Sequence, residues 1–186
     1  MKVLIFRTLA ASFLALTCAI FAIAQEGKGI AITIDGLKSI TPGDWKEEPP
    51  SNKMRYAQFV LPKVAGDAKD GEIVIFKGLG GSAKANIDRW KDQFSANDGG
   101  KLGENDFKIT EIKVAGKPTM YLDVKGAYKY KAAPFDPNSK TVLMENFRML
   151  AAHVDANDIY HIRLTGPAKT VEKYRDGFEK WLANFK

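Results

Sequence analysis

Once its first two dozen residues are set aside, this chain has no cysteine. The single Cys18 lies inside an N-terminal segment that reads as an export leader. Lys2 and Arg7 supply the positive start, residues 9–23 the apolar run, and Ala22-Ile23-Ala24 an A-x-A cleavage signal before Gln25. Removing residues 1–24 leaves a cysteine-free chain, which excludes disulfides, iron–sulfur clusters and thiol chemistry. The rival reading, a lipid anchor on Cys18, fits poorly, because Ala15-Leu16-Thr17 lacks the leucine and the very small residue in the places such processing needs. Beyond residue 24 no stretch approaches the roughly 20 apolar residues of a membrane span. Histidine is scarce too, with only His153 and His161 in the chain.

Catalytic signatures are equally thin. Gly80-Gly81-Ser82-Ala83-Lys84 is not the G-x-S-x-G of a nucleophile elbow, and neither S-x-x-K nor H-E-x-x-H occurs. The glycine-rich corner matches neither G-x-x-x-x-G-K-[ST] nor G-x-G-x-x-G, so nucleotide binding has no support. No motif calls for a cofactor. Charge excludes little more. The net +6 of the 186 residues becomes +4 when Lys2 and Arg7 leave with the leader, too mild a balance to imply a nucleic-acid partner. The remaining 162 residues (186 less 24) suit one domain, residues 25–186, able to bury roughly 70% of its unfolded surface.

What the chain does have is two amphipathic helices and several strands. Val171, Tyr174, Phe178, Trp181, Leu182 and Phe185 share one face of a closing helix that starts at Pro167. Gly177 inside it marks the close approach of a neighbouring backbone. Ala83, Ile87, Trp90 and Phe94 make a second apolar face behind Ser82, a suitable N-cap. Strands are expected over residues 29–34, 56–61 and 72–79, and the apolar run 73–76 reads as a strand buried on both faces. Trp45, in the proline-rich connection 41–55, is expected to close over the core rather than stack on a ligand.

A hairpin over residues 107–130 turns at Ala115-Gly116-Lys117, with Ile112, Val114, Pro118, Met120, Leu122 and Val124 on one apolar face. Its end, Tyr128-Lys129-Tyr130-Lys131, reads as an edge strand protected by lysines, the alternative being a seat for an acidic polymer or lipid headgroup. The last hairpin, over 141–164, has an arguable register. A three-residue loop at Ala156-Asn157-Asp158 pairs Val154 with Tyr160, Ala152 with Ile162 and Leu150 with Leu164, and sets His153 opposite His161. Two histidines near Asp155 and Arg163 make a partial metal site that lacks a third strong ligand. Glu145, Asn146 and Arg148, in an otherwise apolar strand, need internal partners.

The segments GGSAKANIDRWKDQF and YHIRLTGPAKTVEKYRDGFEKWL resemble a family of uncharacterised secreted bacterial proteins that pairs GGS-x-x-x-NIDRW with a late LTGP. That resemblance implies export and brings no activity. The order of strands, one mid-chain helix, two hairpins and a last helix is more distantly similar to the PsbP/Mog1-like fold, which implies an antiparallel sheet between helices. The expectation is therefore an α+β domain: a twisted antiparallel sheet of about six strands with helices on both faces, Trp90 on one side and Trp181 on the other.

For function, the leading expectation is a non-catalytic envelope or periplasmic module. It would bind an unknown protein or small-molecule ligand through the corner at Gly80, Gly81, Ser82, Asn86 and Arg89, or through a cleft beside Arg148 and Arg163. The alternatives are a hydrolase whose carboxylates are scattered in sequence, and a metal-binding protein using His153 and His161.

Overall fold

The computed structural model describes residues 27–132 and 136–186. The leader expected over residues 1–24, with Cys18, and part of the loop at 134–140 lie outside them. β1 (Ala31–Ile34) and β2 (Leu37–Ile40) form a small hairpin of their own around Asp35-Gly36. The main sheet contains β3 (Lys46–Glu48), β4 (Arg55–Leu61), β5 (Gly71–Lys77), β6 (Phe94–Ser95), β7 (Phe107–Val114), β8 (Lys117–Lys131), β9 (Thr141–Asp155) and β10 (Ile159–Pro167). Its order is β3-β4-β5-β10-β9-β8, with β7 and β6 sharing the far side of β8, and every pairing is antiparallel. α1 (Ala83–Lys91) packs on one face and α2 (Ala168–Ala183) on the other. The class is thus α+β as expected, but among the described residues the sheet has eight strands against the expected six or so. Among the described residues, no helix is long and apolar enough to cross a membrane.

The two-sided burial follows from strand parity. Along β9, Leu150, Ala152 and Val154 face α2, while Met149 and Ala151 face α1. Ile73, Val74, Ile75 and Phe76 of β5 are buried in succession, which explains why that run does not alternate. Trp181, Phe178, Tyr174 and Val171 of α2 cover Phe59, Ile75 and Ile162; Trp90 and Ile87 of α1 cover Leu122, Val124 and Met149. Each such side chain, removed from water, contributes about 1.5–3 kcal/mol. Trp45 closes the α2 side, its ring 5.2 Å from that of Trp181.

Several sequence expectations are corrected. The turn between β7 and β8 has two residues rather than three: Ala115 and Gly116, with φ of 50° and 76°, leave Val114 opposite Lys117. Val114, Ile112 and Tyr121 therefore face α2, and Met120, Leu122 and Val124 face α1, so the single apolar face is really two. The Tyr128-Lys129 end is no edge, since β6 and β9 flank it. Phe94 belongs to β6 and not to the first helix, and Pro167 ends β10 at the cap of α2.

Gly177 lies in α2, and a Cβ built there would touch only the Pro42 ring, at 3.4 Å, not a backbone. Since that contact is ordinary and glycine is costly inside a helix, Gly177→Ala is expected to raise stability by about 0.5–1 kcal/mol. A urea midpoint that falls in this variant would show that the Pro42 packing cannot yield.

Candidate functional site

Leaving β5, the chain turns through residues 78–82 into α1, and this corner is fixed from within. The Asn86 side-chain amide donates to the carbonyls of Gly80 (3.4 Å) and Ser82 (3.0 Å), and Asn86 Oδ1 accepts from Arg89 at 2.6 Å. Gly81 takes φ +102°, and a Cβ on it would stand 3.1 Å from Asn86 Nδ2, so glycine is required by both conformation and space. Ser82 caps the helix, its hydroxyl accepting from Ala85 N at 3.2 Å. The five residues singled out in the sequence are thus one structural unit.

The corner forms one wall of a cleft of about 760 Å³. A second wall is the β7–β8 turn and the start of β8, including Val114, Lys117 and Met120. The third is the end of the last hairpin, with His153, Asp155 and Ile159. Leu37 of β2 reaches the same cleft, and its hairpin is held by Asp35, whose carboxylate accepts from Tyr160 Oη at 2.8 Å and Asp158 N at 2.6 Å. The hydrogen bond from Tyr160 is the main reason that the Asp35 carboxyl stays below its ordinary pKa. Lys117 and Thr119 are lining residues without a signal in the sequence, because nothing local to β8 reveals what stands across from it. Another depression, of about 930 Å³, lies at the other end of α1 between Lys91, Phe94, Leu102, Phe107, Lys129 and Leu143.

His153 and His161 do stand opposite each other across β9 and β10, in the register argued from the loop, with ring centroids 5.1 Å apart. His161 is 1% exposed, lies edge-on to Trp90 at 5.0 Å, and neither of its nitrogens has a hydrogen-bond partner among the described residues. Burial is the chief cause of its pKa falling to about 4, with His153, Arg89 and Arg163 adding repulsion. His153 is 8% exposed, its Nδ1 also lacks a partner, and burial lowers its pKa despite the nearby Asp155. Both rings are therefore neutral at pH 7. Among the described residues no three His, Cys, Asp or Glu side chains converge to hold a metal ion.

Arg148 and Arg163 are not brought together. Arg148 points to the α2 face, where Asp123 takes it bidentately at 2.7 and 2.6 Å and Glu172 of α2 pairs with its other nitrogen. Burial alone would lower its pKa, but the Asp123 and Glu172 contacts outweigh that and raise it. Its partner is not Glu145, as proximity in sequence suggests. Arg163 lies on the α1 face, over the Phe76 ring at 4.7 Å and donating to Gln93 Oε1 at 3.3 Å. Burial lowers its pKa, with Arg55 and Arg89 adding to the effect against Tyr128 and Glu72. A single cleft beside both arginines is ruled out by this parity, since the sheet separates them.

No family model and no curated protein matches the chain. Among solved structures, it is similar to a Pseudomonas aeruginosa protein of unknown function at 12% identity, covering 83% of this chain and 93% of the other, with a TM-score of 0.41. It is also similar to the cyanobacterial PsbP protein (CyanoP) of Synechocystis at 12% identity, covering 92% and 98%, with a TM-score of 0.45. Both alignments are loose, and the architecture stands on the register and packing described above.

Proposed function

We propose that this chain is a non-catalytic binding module of the cell envelope, exported by its leader, whose ligand sits in the cleft at the start of α1. The observation that carries the reading is the meeting, in one concave space, of a buried His153 side chain that makes no hydrogen bond among the described residues and a rigid wall across from it. The helix start is locked by Asn86, and the His153 ring is fixed by burial on the opposite strand. Convergent polar groups set among apolar ones in a preformed cleft are the usual make-up of a small-molecule site. Catalysis fits less well. Among the described residues, Asp155 is the one carboxylate that lines the cleft, where hydrolysis by paired acids needs two facing each other.

The test is an amide-shift titration of the ¹⁵N-labelled protein with a panel of small anions, cations, sugars and alcohols. The expected result is that shifts induced by at least one member concentrate at Gly81, Ala83, Lys117, Thr119 and His153. Shifts that cluster elsewhere, or none from any member, would remove the cleft as the binding seat.

A further inference from the structure

We infer that the ligand of this cleft is a small monocarboxylate with an apolar body, its carboxylate seated on the N–H groups of Gly81 and Ala83 beside His153. The inference rests on the cleft being the binding seat and adds the chemistry of what binds.

The geometry begins with the peptide planes. In a trans peptide the C=O and the following N–H point in opposite directions, and no peptide in the described chain is cis. Asn86 draws the carbonyls of Gly80 and Ser82 to itself. The N–H groups of Gly81 and Ala83 must then point away from Asn86. The first turn of α1 contains no acidic side chain, so its positive end is not neutralised from within.

A helix start is by itself a weak indicator, and His153 supplies the independent one. It is more than nine-tenths buried, lines the same cleft, and makes no hydrogen bond among the described residues. A neutral imidazole carries one proton. Nδ1 is enclosed without an acceptor, so the tautomer that strands no N–H places the proton on Nε2, the nitrogen left to face the cleft as a donor. A donor lining the same cleft as two N–H groups that make no hydrogen bond among the described residues calls for an acceptor.

Charge and shape narrow the acceptor further. Lys117 adds one cation to the lining and Asp155 one anion, so the side-chain charges cancel and each negative charge on a ligand rests on the N–H groups and His153, which favours one charge over two. The remaining walls at Leu37, Pro118, Met120 and Ile159 offer apolar surface to a hydrocarbon body.

Octanoate, octanol and octylammonium share one body and differ only in the head, so they isolate it. Titrated into the full chain, octanoate is expected to shift the Gly81 and Ala83 amides and to bind about tenfold more tightly than either of the others. Ala83→Pro removes one of the two donors and leaves the helix intact. Proline is favoured at the first helical position, and Ser82, at φ −69° and ψ 159°, already has the extended conformation that precedes proline. This variant should lose most of the octanoate preference and weaken octanol far less, since a neutral hydroxyl accepts more weakly than a carboxylate, and Lys117→Gln, on an exposed side chain, should weaken octanoate alone by a smaller factor. Octanol or octylammonium binding in the cleft as tightly as octanoate would overturn the carboxylate inference while leaving the cleft as a binding seat. If neither these three nor any of the wider panel perturbs the cleft, both readings fall.

Discussion

Replacing Arg148 with methionine is expected to cost about 3 kcal/mol of stability, seen as a lower urea midpoint with an unchanged slope. The guanidinium is 2% exposed and carries two parallel hydrogen bonds to Asp123 as well as the Glu172 contact from α2. Removing one member of a buried pair leaves the other charge without compensation, a loss of about 3–5 kcal/mol in fully enclosed cases. Asp123 is 27% exposed and Glu172 51%, so water recovers part of that loss and the lower end of the range applies. By the same reasoning, Glu172→Gln should cost under about 1 kcal/mol. Coupling Arg148→Met with Asp123→Leu should restore most of the stability, because the stranded carboxylate goes with its partner. An Arg148→Met midpoint equal to that of the parent would show that this ion cluster adds nothing to the packing of α2 on the sheet.

Acid is expected to unfold the protein in steps set by its buried histidines. His161 has an ordinary pKa of 6.5 when unfolded and about 4 when folded, so the unfolded chain takes up its proton first as pH drops. The sign follows: stability is full above pH 6.5 and is lost as pH falls from there toward 4. At about 1.4 kcal/mol per unit, this one ring accounts for a loss on the order of 3 kcal/mol, and His153 acts in the same direction. In His161→Phe the ring keeps its edge contact with Trp90, no polar atom is left unpartnered, and the charge cannot form. That variant should be more stable than the parent at pH 7 by about 1 kcal/mol and should lose most of the decline between pH 6.5 and 4. Parallel stability curves for parent and variant would mean that His161 finds a proton acceptor when folded, contrary to its surroundings.

The histidine pair shows where sequence reasoning succeeds. With only Ala156, Asn157 and Asp158 between the strands, loop length and apolar alternation leave one register, and parity then fixes which side chains oppose each other. The partner of Arg148 was beyond such reasoning for the opposite reason. β8 and β9 are joined by residues 132–140, a stretch with no hydrophobic pattern, and their pairing shifts register between Gly126 and Tyr128. A bulge of that kind changes parity midway along a strand, so Asp123 could not be placed beside Arg148 by counting. The β7–β8 turn failed more narrowly, since one residue too many in the loop merged two faces into one. At the corner, glycines and a capping serine were visible as a turn, but Asn86 reads as an ordinary helix residue until its amide is seen closing on the carbonyls behind it.

Strand order has a further consequence for the order of events in folding. The last of the described strands in chain order, β10, lies between β5 and β9 and joins the two halves of the sheet. A chain emerging from its N-terminus can form local hairpins, but it has nothing to bridge them until residue 159 and those after it arrive. Lys186 then exchanges two backbone hydrogen bonds with Lys38, nearly 150 residues before it, at 2.8 and 3.1 Å. Such distant pairings make assembly slow, because much chain entropy is lost before the contacts that offset it can form. The sheet therefore cannot be completed piecemeal during translation; it closes only after residues 159–186 have been made.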